Sequence, residues 1–165
     1  MTSEGDRDSI QMRLNWSHIA MLKLSKKADY ALIAVRHLAT HGAEQSHSSA
    51  DIAETYRISP QLLAKVLQRL AKHGLVTARH GASGGYQLAR HPKDISALEV
   101  ISAVDGPMMI TSCVTNHGAC GQSNTCTVRE PLRKVNESIV QVLRAVSISQ
   151  MTEDSPEVEL VGLSS

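Results

Sequence analysis

Ala31, Ala34, Val35 and Leu38 return every three or four residues, the spacing that lays one apolar stripe along a helix. Ser25 stands where an N-cap belongs and His41-Gly42 where the helix must stop, so a core-packing helix is predicted between them. A polar connection, GAEQSHS, leads to Ser48, and Asp51 three residues later gives a capping-box-like start to a short helix. Its apolar face is Ile52, Ala53 and Tyr56. Beyond a tight turn at Arg57-Ile58, Ser59-Pro60 reads as an N-cap followed by proline at the first helical position, where a missing N–H costs nothing. On the helix that follows, Leu62, Leu63, Val66, Leu67 and Leu70 form the buried stripe. Gln61, Lys65, Gln68 and Lys72 fall on the opposite face at i, i+4, i+7 and i+11. Gly74 supplies a C′ stop, and two strand-like pieces, Leu75 to Arg79 and Tyr86 to Ala89, flank the turn HGASGG. Helices followed by a hairpin in this order predict a winged helix-turn-helix whose polar third helix can enter a major groove.

The pattern changes past the hairpin. Asp94-Ile95-Ser96 leads into a short helix, ALEVISAV, ended by Asp105-Gly106-Pro107. Val128, Leu132, Val135, Ile139, Val142 and Val146 then recur at alternating steps of four and three, an a/d-like seam. That seam predicts a long helix pairing with its copy; packing back onto the winged domain is the competing reading. The predicted fold is mainly α: a winged helix-turn-helix with a two-stranded wing, a cysteine loop and a long dimerisation helix. The divisions are 1–20, a flexible extension; 21–92, the winged domain; 93–127, linker helix and cysteine loop; 128–152, dimerisation helix; and 153–165, a flexible tail. Met21 heads a better-patterned sequence than Met1.

Charge sharpens this division. Residues 21 to 93 hold 11 Lys/Arg against 4 Asp/Glu, or +7, whereas residues 94 to 165 hold 4 against 9, or −5. A basic half of this kind fits a nucleic-acid partner, joined to an acidic half with another task. Ser59, Gln61, Lys65, Gln68, Arg69, Lys72, Arg79 and His80 are the candidate contacts. Gln and Lys suit base edges; Arg69, Lys72, Arg79 and His80 suit phosphates or a groove. With no Phe, one Trp and three Tyr, the chain lacks the stacking platforms of single-strand binders. GASGG is followed by no Lys-Ser/Thr and matches no dinucleotide fingerprint, so a phosphate-cradling loop is only a weak alternative to the wing turn. No apolar run approaches the roughly 20 residues that span a membrane.

All three cysteines, Cys113, Cys120 and Cys126, fall within 14 consecutive positions as C-x6-C-x5-C. The residues between them are polar and Gly-containing, which reads as a ligand loop. An odd count leaves one thiol over in any disulfide scheme, and no apolar leader is present, so the expected compartment is the cytoplasm. There, clustered thiolates select zinc, copper(I) or iron-sulfur, and the lack of a C-x2-C knuckle favours iron-sulfur. Three free thiols, or a structural zinc site completed by His117, are the alternatives. A thiol enzyme using one cysteine with His117 lacks an orienting carboxylate and an oxyanion site, so no catalysis is expected.

From Met21 to about Met151 the chain resembles the Rrf-type iron-sulfur transcriptional regulators, the family of IscR, NsrR and the Suf-operon regulators. The matching pieces are MLKLSKKADYAL, ISPQLLAKVLQRLAKHGLV, GASGGYQLAR, DISALEVISAVDGP and the three-cysteine loop. LSKKADYAL, HGASGGYQLAR and TSCVTNHGAC look most like the Suf-type members. The resemblance implies a homodimeric repressor of iron-sulfur assembly or stress genes, whose three cysteines hold a 2Fe-2S or 4Fe-4S cluster that governs operator binding. A nitric-oxide-sensing repressor is the alternative within the family. IscR-like members resemble one another in a histidine three residues after the last cysteine; here that position is Arg129. NsrR-like members use an aspartate of the first helix from the partner subunit, and Asp29 looks like the matching position, ahead of His117 and Glu130 as fourth ligand.

Overall fold

The computed structural model describes residues 23–42, 45–81, 84–110 and 125–153. The leading extension and the tail beyond 153 lie outside the described residues.

Six helices and one hairpin make up the described chain. Helix α1 (Lys26–Thr40) starts where the Ser25 hydroxyl accepts the Ala28 N–H at 3.1 Å. Its buried face is built on Ala28, Ala31 and Ala34, with Val35 and Leu38. Such small side chains let neighbouring helices approach closely, and α1 packs against three of them, α3 (Pro60–Lys72), α4 (Ala97–Asp105) and α6 (Ile148–Thr152). Between α1 and α3 lies α2 (Ser49–Thr55), capped by the Ser48 hydroxyl on the Asp51 N–H. The turn into α3 places Arg57 in the left-handed region, at φ 53°, while Ile58 N–H reaches back to Ala53 O at 2.8 Å. Leu63, Val66, Leu67 and Leu70 then bury against α1 and α4, as the periodicity predicts; Leu62 is only half-buried. Gly74, at φ 70°, ends the helix.

Strands β1 (Val76–Arg79) and β2 (Gly85–Leu88) pair antiparallel, from Val76 opposite Leu88 to Arg79 opposite Gly85. The wing has a third element that periodicity does not reveal. His47 forms a bridge with Tyr86, each N–H donating to the other's carbonyl, at 2.9 and 2.8 Å. Gly85 permits it, because a Cβ there would lie 2.5 Å from the His47 oxygen.

A 3-10 turn at Pro92–Asp94 precedes α4, whose start is a full capping box between Ser96 and Glu99. Burial opposes ionisation of Glu99, but the hydrogen bond from the Ser96 N–H, then Arg90 at 2.7 Å, hold its carboxyl below the usual range. The long C-terminal helix differs from the single element predicted over 128–152. Helix α5 (Arg129–Ala145) stops, Val146 is extended, and α6 begins after Ser147. Two causes compete with helix propagation there. Ser147 and Gln150 form a new capping box, and residues 146–148 pair with 95–97 through Ala97 N–H to Val146 O (2.8 Å) and Ile148 N–H to Ile95 O (2.9 Å). Ile148 is thereby buried in the common core.

Candidate nucleic-acid interface and cysteine segment

The α3 periodicity that buries four aliphatic side chains leaves Gln61, Lys65, Gln68 and Lys72 exposed along the other face. Ser59, at its N-cap, is exposed and makes no side-chain capping bond, so its hydroxyl is available to a phosphate. Arg79 and His80, at the outer end of β1, are exposed as well. Lys65, Gln68, Arg69 and Lys72 line one open groove of about 530 Å³ with Leu62, Val66 and Lys27. Lys27 comes from the first turn of α1 and is missed by motif reasoning, because its only signal is the run of lysines after Ser25. No carboxylate lines this groove, so its field favours an anion. Arg69 is not a simple surface cation: its Nη1 donates to the Val104 carbonyl of α4 at 2.5 Å.

Behind the wing sits a cluster that the sequence does not announce. His37 is 6% exposed and hydrogen-bonded through Nδ1 to the Tyr56 hydroxyl at 3.2 Å. His41 stacks on it at 4.1 Å between centroids, and His47 meets it edge-on at 5.0 Å. Burial, then the neighbouring His41 and His47, lower the His37 pKa to about 4. It is therefore a neutral packing group at ordinary pH.

Of the predicted sulfur ligands, Cys126 is described: a free, half-buried thiol three residues before α5. Cys113, Cys120 and His117 lie outside the described residues. Asp29 is exposed in the first turn of α1. Glu130 is engaged by Arg133 at 2.9 Å, which holds its carboxyl below the usual range, and Arg133 also pairs with Glu137. Among the described residues no three His, Cys, Asp or Glu side chains are grouped to hold a metal.

A profile described as Rrf2, iron-dependent transcriptional regulator, matches residues 24–154. The chain belongs to the Rrf2 family. This Rrf2 regulator is 34% identical over 133 residues to the HTH-type transcriptional regulator IscR of Xenorhabdus nematophila, covering 81% of this chain and 80% of that one. It is 32% identical over 142 residues to the putative HTH-type regulator ORF2 of Azotobacter vinelandii, covering 86% of both. Among solved structures, IscR of T. potens superposes with a TM-score of 0.66 at 30% identity, over 86% of this chain and 93% of that one. CymR, the global cysteine regulator of B. subtilis, superposes with a TM-score of 0.67 at 27% identity, over 82% and 100%. The Rrf2 chain is thus an IscR-like, DNA-binding transcriptional regulator with a winged-helix fold, and not an enzyme. None of its described helices is long and apolar enough to cross a membrane.

Proposed function

We propose that this regulator is a cytoplasmic homodimer that senses an iron-sulfur cluster and represses genes of iron-sulfur assembly or stress defence. The observation that carries the reading is the gathering of all three cysteines within residues 113–126, between α4 and α5. Three thiolates form a soft donor set suited to iron-sulfur, and the family description as iron-dependent agrees with that chemistry. Cys113, Cys120 and Cys126 would hold the cluster, with Asp29 of the partner subunit as the fourth ligand and His117 as the alternative. Glu130 is the weakest candidate, since Arg133 already occupies it. When bound, the cluster supplies a link among thiolates that oxidants or nitric oxide can break.

The remaining work falls to the protein. Ser59, Gln61, Lys65, Gln68 and Lys72 read a major groove from α3, while Arg79 and His80 extend the contact through the wing. Pairing is supported by α5: Val128, Val135 and Val142 stand seven residues apart and are 55%, 49% and 59% exposed. In water such a row favours a second copy, and two copies would present two reading helices to paired half-sites. Cluster state can shift DNA affinity only by the difference in its stabilisation of two arrangements of those helices.

Anaerobic purification, visible absorption and iron and sulfide analysis test the assignment. Coloured protein, bleached by single Ala replacement of Cys113, Cys120 or Cys126, is the expected result. A colourless protein holding zinc, or colour retained in all three variants, refutes it.

A further inference from the structure

Arg69 stands on the reading helix and lines the basic groove, yet its guanidinium is bonded to α4. Val104 is the next-to-last residue of α4, so its carbonyl is one of the four that no intrahelical N–H can satisfy. It is also buried, and an unsatisfied carbonyl there is costly. Nη1 of Arg69 satisfies it with a charged donor at the negative end of the helix dipole. From that point the chain runs through Asp105 and Gly106, at φ 86°, to Met108, which packs on the core, and on to Ile110. The Ile110 N–H donates to Asn136 Oδ1 at 3.0 Å, and Asn136, on α5, is 7% exposed. Cys113 follows three residues later, and Cys126 leads into the same α5.

We infer that Arg69 is a positioning residue, which ties the recognition helix to the connector 104–110 while Asn136 fixes that connector to α5. The ends of the cysteine segment are thereby joined to the reading helix within one subunit. A force that draws the cysteines together loads the connector at Ile110 and is felt at Val104, one hydrogen bond from α3. This inference rests on the sensing function proposed above, but it assigns the coupling to this chain's own residues. It also takes Arg69 off the roll of phosphate contacts, where its charge alone would put it.

Full-length Arg69→Gln and Asn136→Ala are to be compared with the native protein, each with and without its cluster, by DNA titration over a salt series. Cluster absorbance and thermal melting are followed in parallel. Coupled sites typically differ by roughly 5- to 150-fold between states. For both variants that ratio is expected to fall to about twofold or less, with absorbance retained and the salt slope unchanged. A salt slope for Arg69→Gln reduced by about one phosphate, with the ratio intact, overturns the inference and makes Arg69 a backbone contact. If Arg69→Gln does not fold, Arg69→Lys decides: it keeps a cation for phosphate but loses the guanidinium's reach, so a tether fails and a phosphate contact survives. A native protein whose two states bind DNA equally refutes the sensing reading and the coupling with it; the salt slope still decides what Arg69 does.

Discussion

His37 makes the regulator's stability depend on mild acid. Its ring packs against His41, His47 and Tyr56; burial, then His41 and His47, lower its pKa to about 4 from the ordinary 6.5 that it keeps in the unfolded chain. Because the folded form binds fewer protons, the stabilisation is fully present above 6.5 and is lost as pH falls from 6.5 toward 4. At about pH 5 the unfolded ring is almost fully protonated and the folded ring almost neutral, so linkage costs about 2 kcal/mol relative to pH 7.5. That is a large share of the roughly 5–15 kcal/mol that holds a typical domain together. The assay is urea unfolding at both pH values for the native protein and for His37→Gln, which keeps a polar partner for Tyr56 but cannot titrate. His37→Gln is expected to be less stable than native at the higher pH and to lose about 2 kcal/mol less on acidification. Equal acid losses in the two proteins would refute the argument, since His41, His47 and the carboxylates are common to both.

Other consequences follow from single residues. Lys27→Ala should lower the salt slope of DNA binding by about one and weaken specific and non-specific DNA alike, as filter or fluorescence titrations would show; an unchanged slope removes Lys27 from the interface. Val135→Glu should place a charge in the exposed row of α5 and shift the protein toward monomer in light scattering, with the helical circular dichroism retained. Arg57→Gly should raise the urea midpoint by a stabilisation of about 0.5–1 kcal/mol, because a non-glycine residue sits at φ 53° after α2; a lowered midpoint would show that Arg57 makes a compensating contact.

The elements legible in the sequence are those whose signals are local. Ser25 and Ser48 are caps in fact as in pattern, and the stripe Leu63, Val66, Leu67 and Leu70 is buried as its spacing requires. The break at Val146-Ser147 is less visible, because it depends on pairing with residues 95–97, far away in the chain. Valine and serine at those positions do not by themselves stop a helix. For the DNA face, periodicity finds the exposed side of α3, but nothing in its spacing reveals that Arg69 also donates to a carbonyl 35 residues ahead on another helix. Lys27 and the histidine cluster are missed for the same reason: groups that converge from separate elements leave no period to read.

The packing of α6 on α1 also bears on how the protein is made. Arg36 of α1 donates through Nε to the Met151 carbonyl at 2.7 Å, across 115 residues of sequence. Residues 146–148 close against 95–97, and Ile148 completes the core around α1. A nascent chain that has emerged only as far as the wing therefore leaves exposed the part of α1's apolar side that α4 and α6 later cover. Contacts so distant along the chain are closed late, after most of the loop entropy has been lost. During synthesis the core beneath the reading head is thus left open until α6 has emerged.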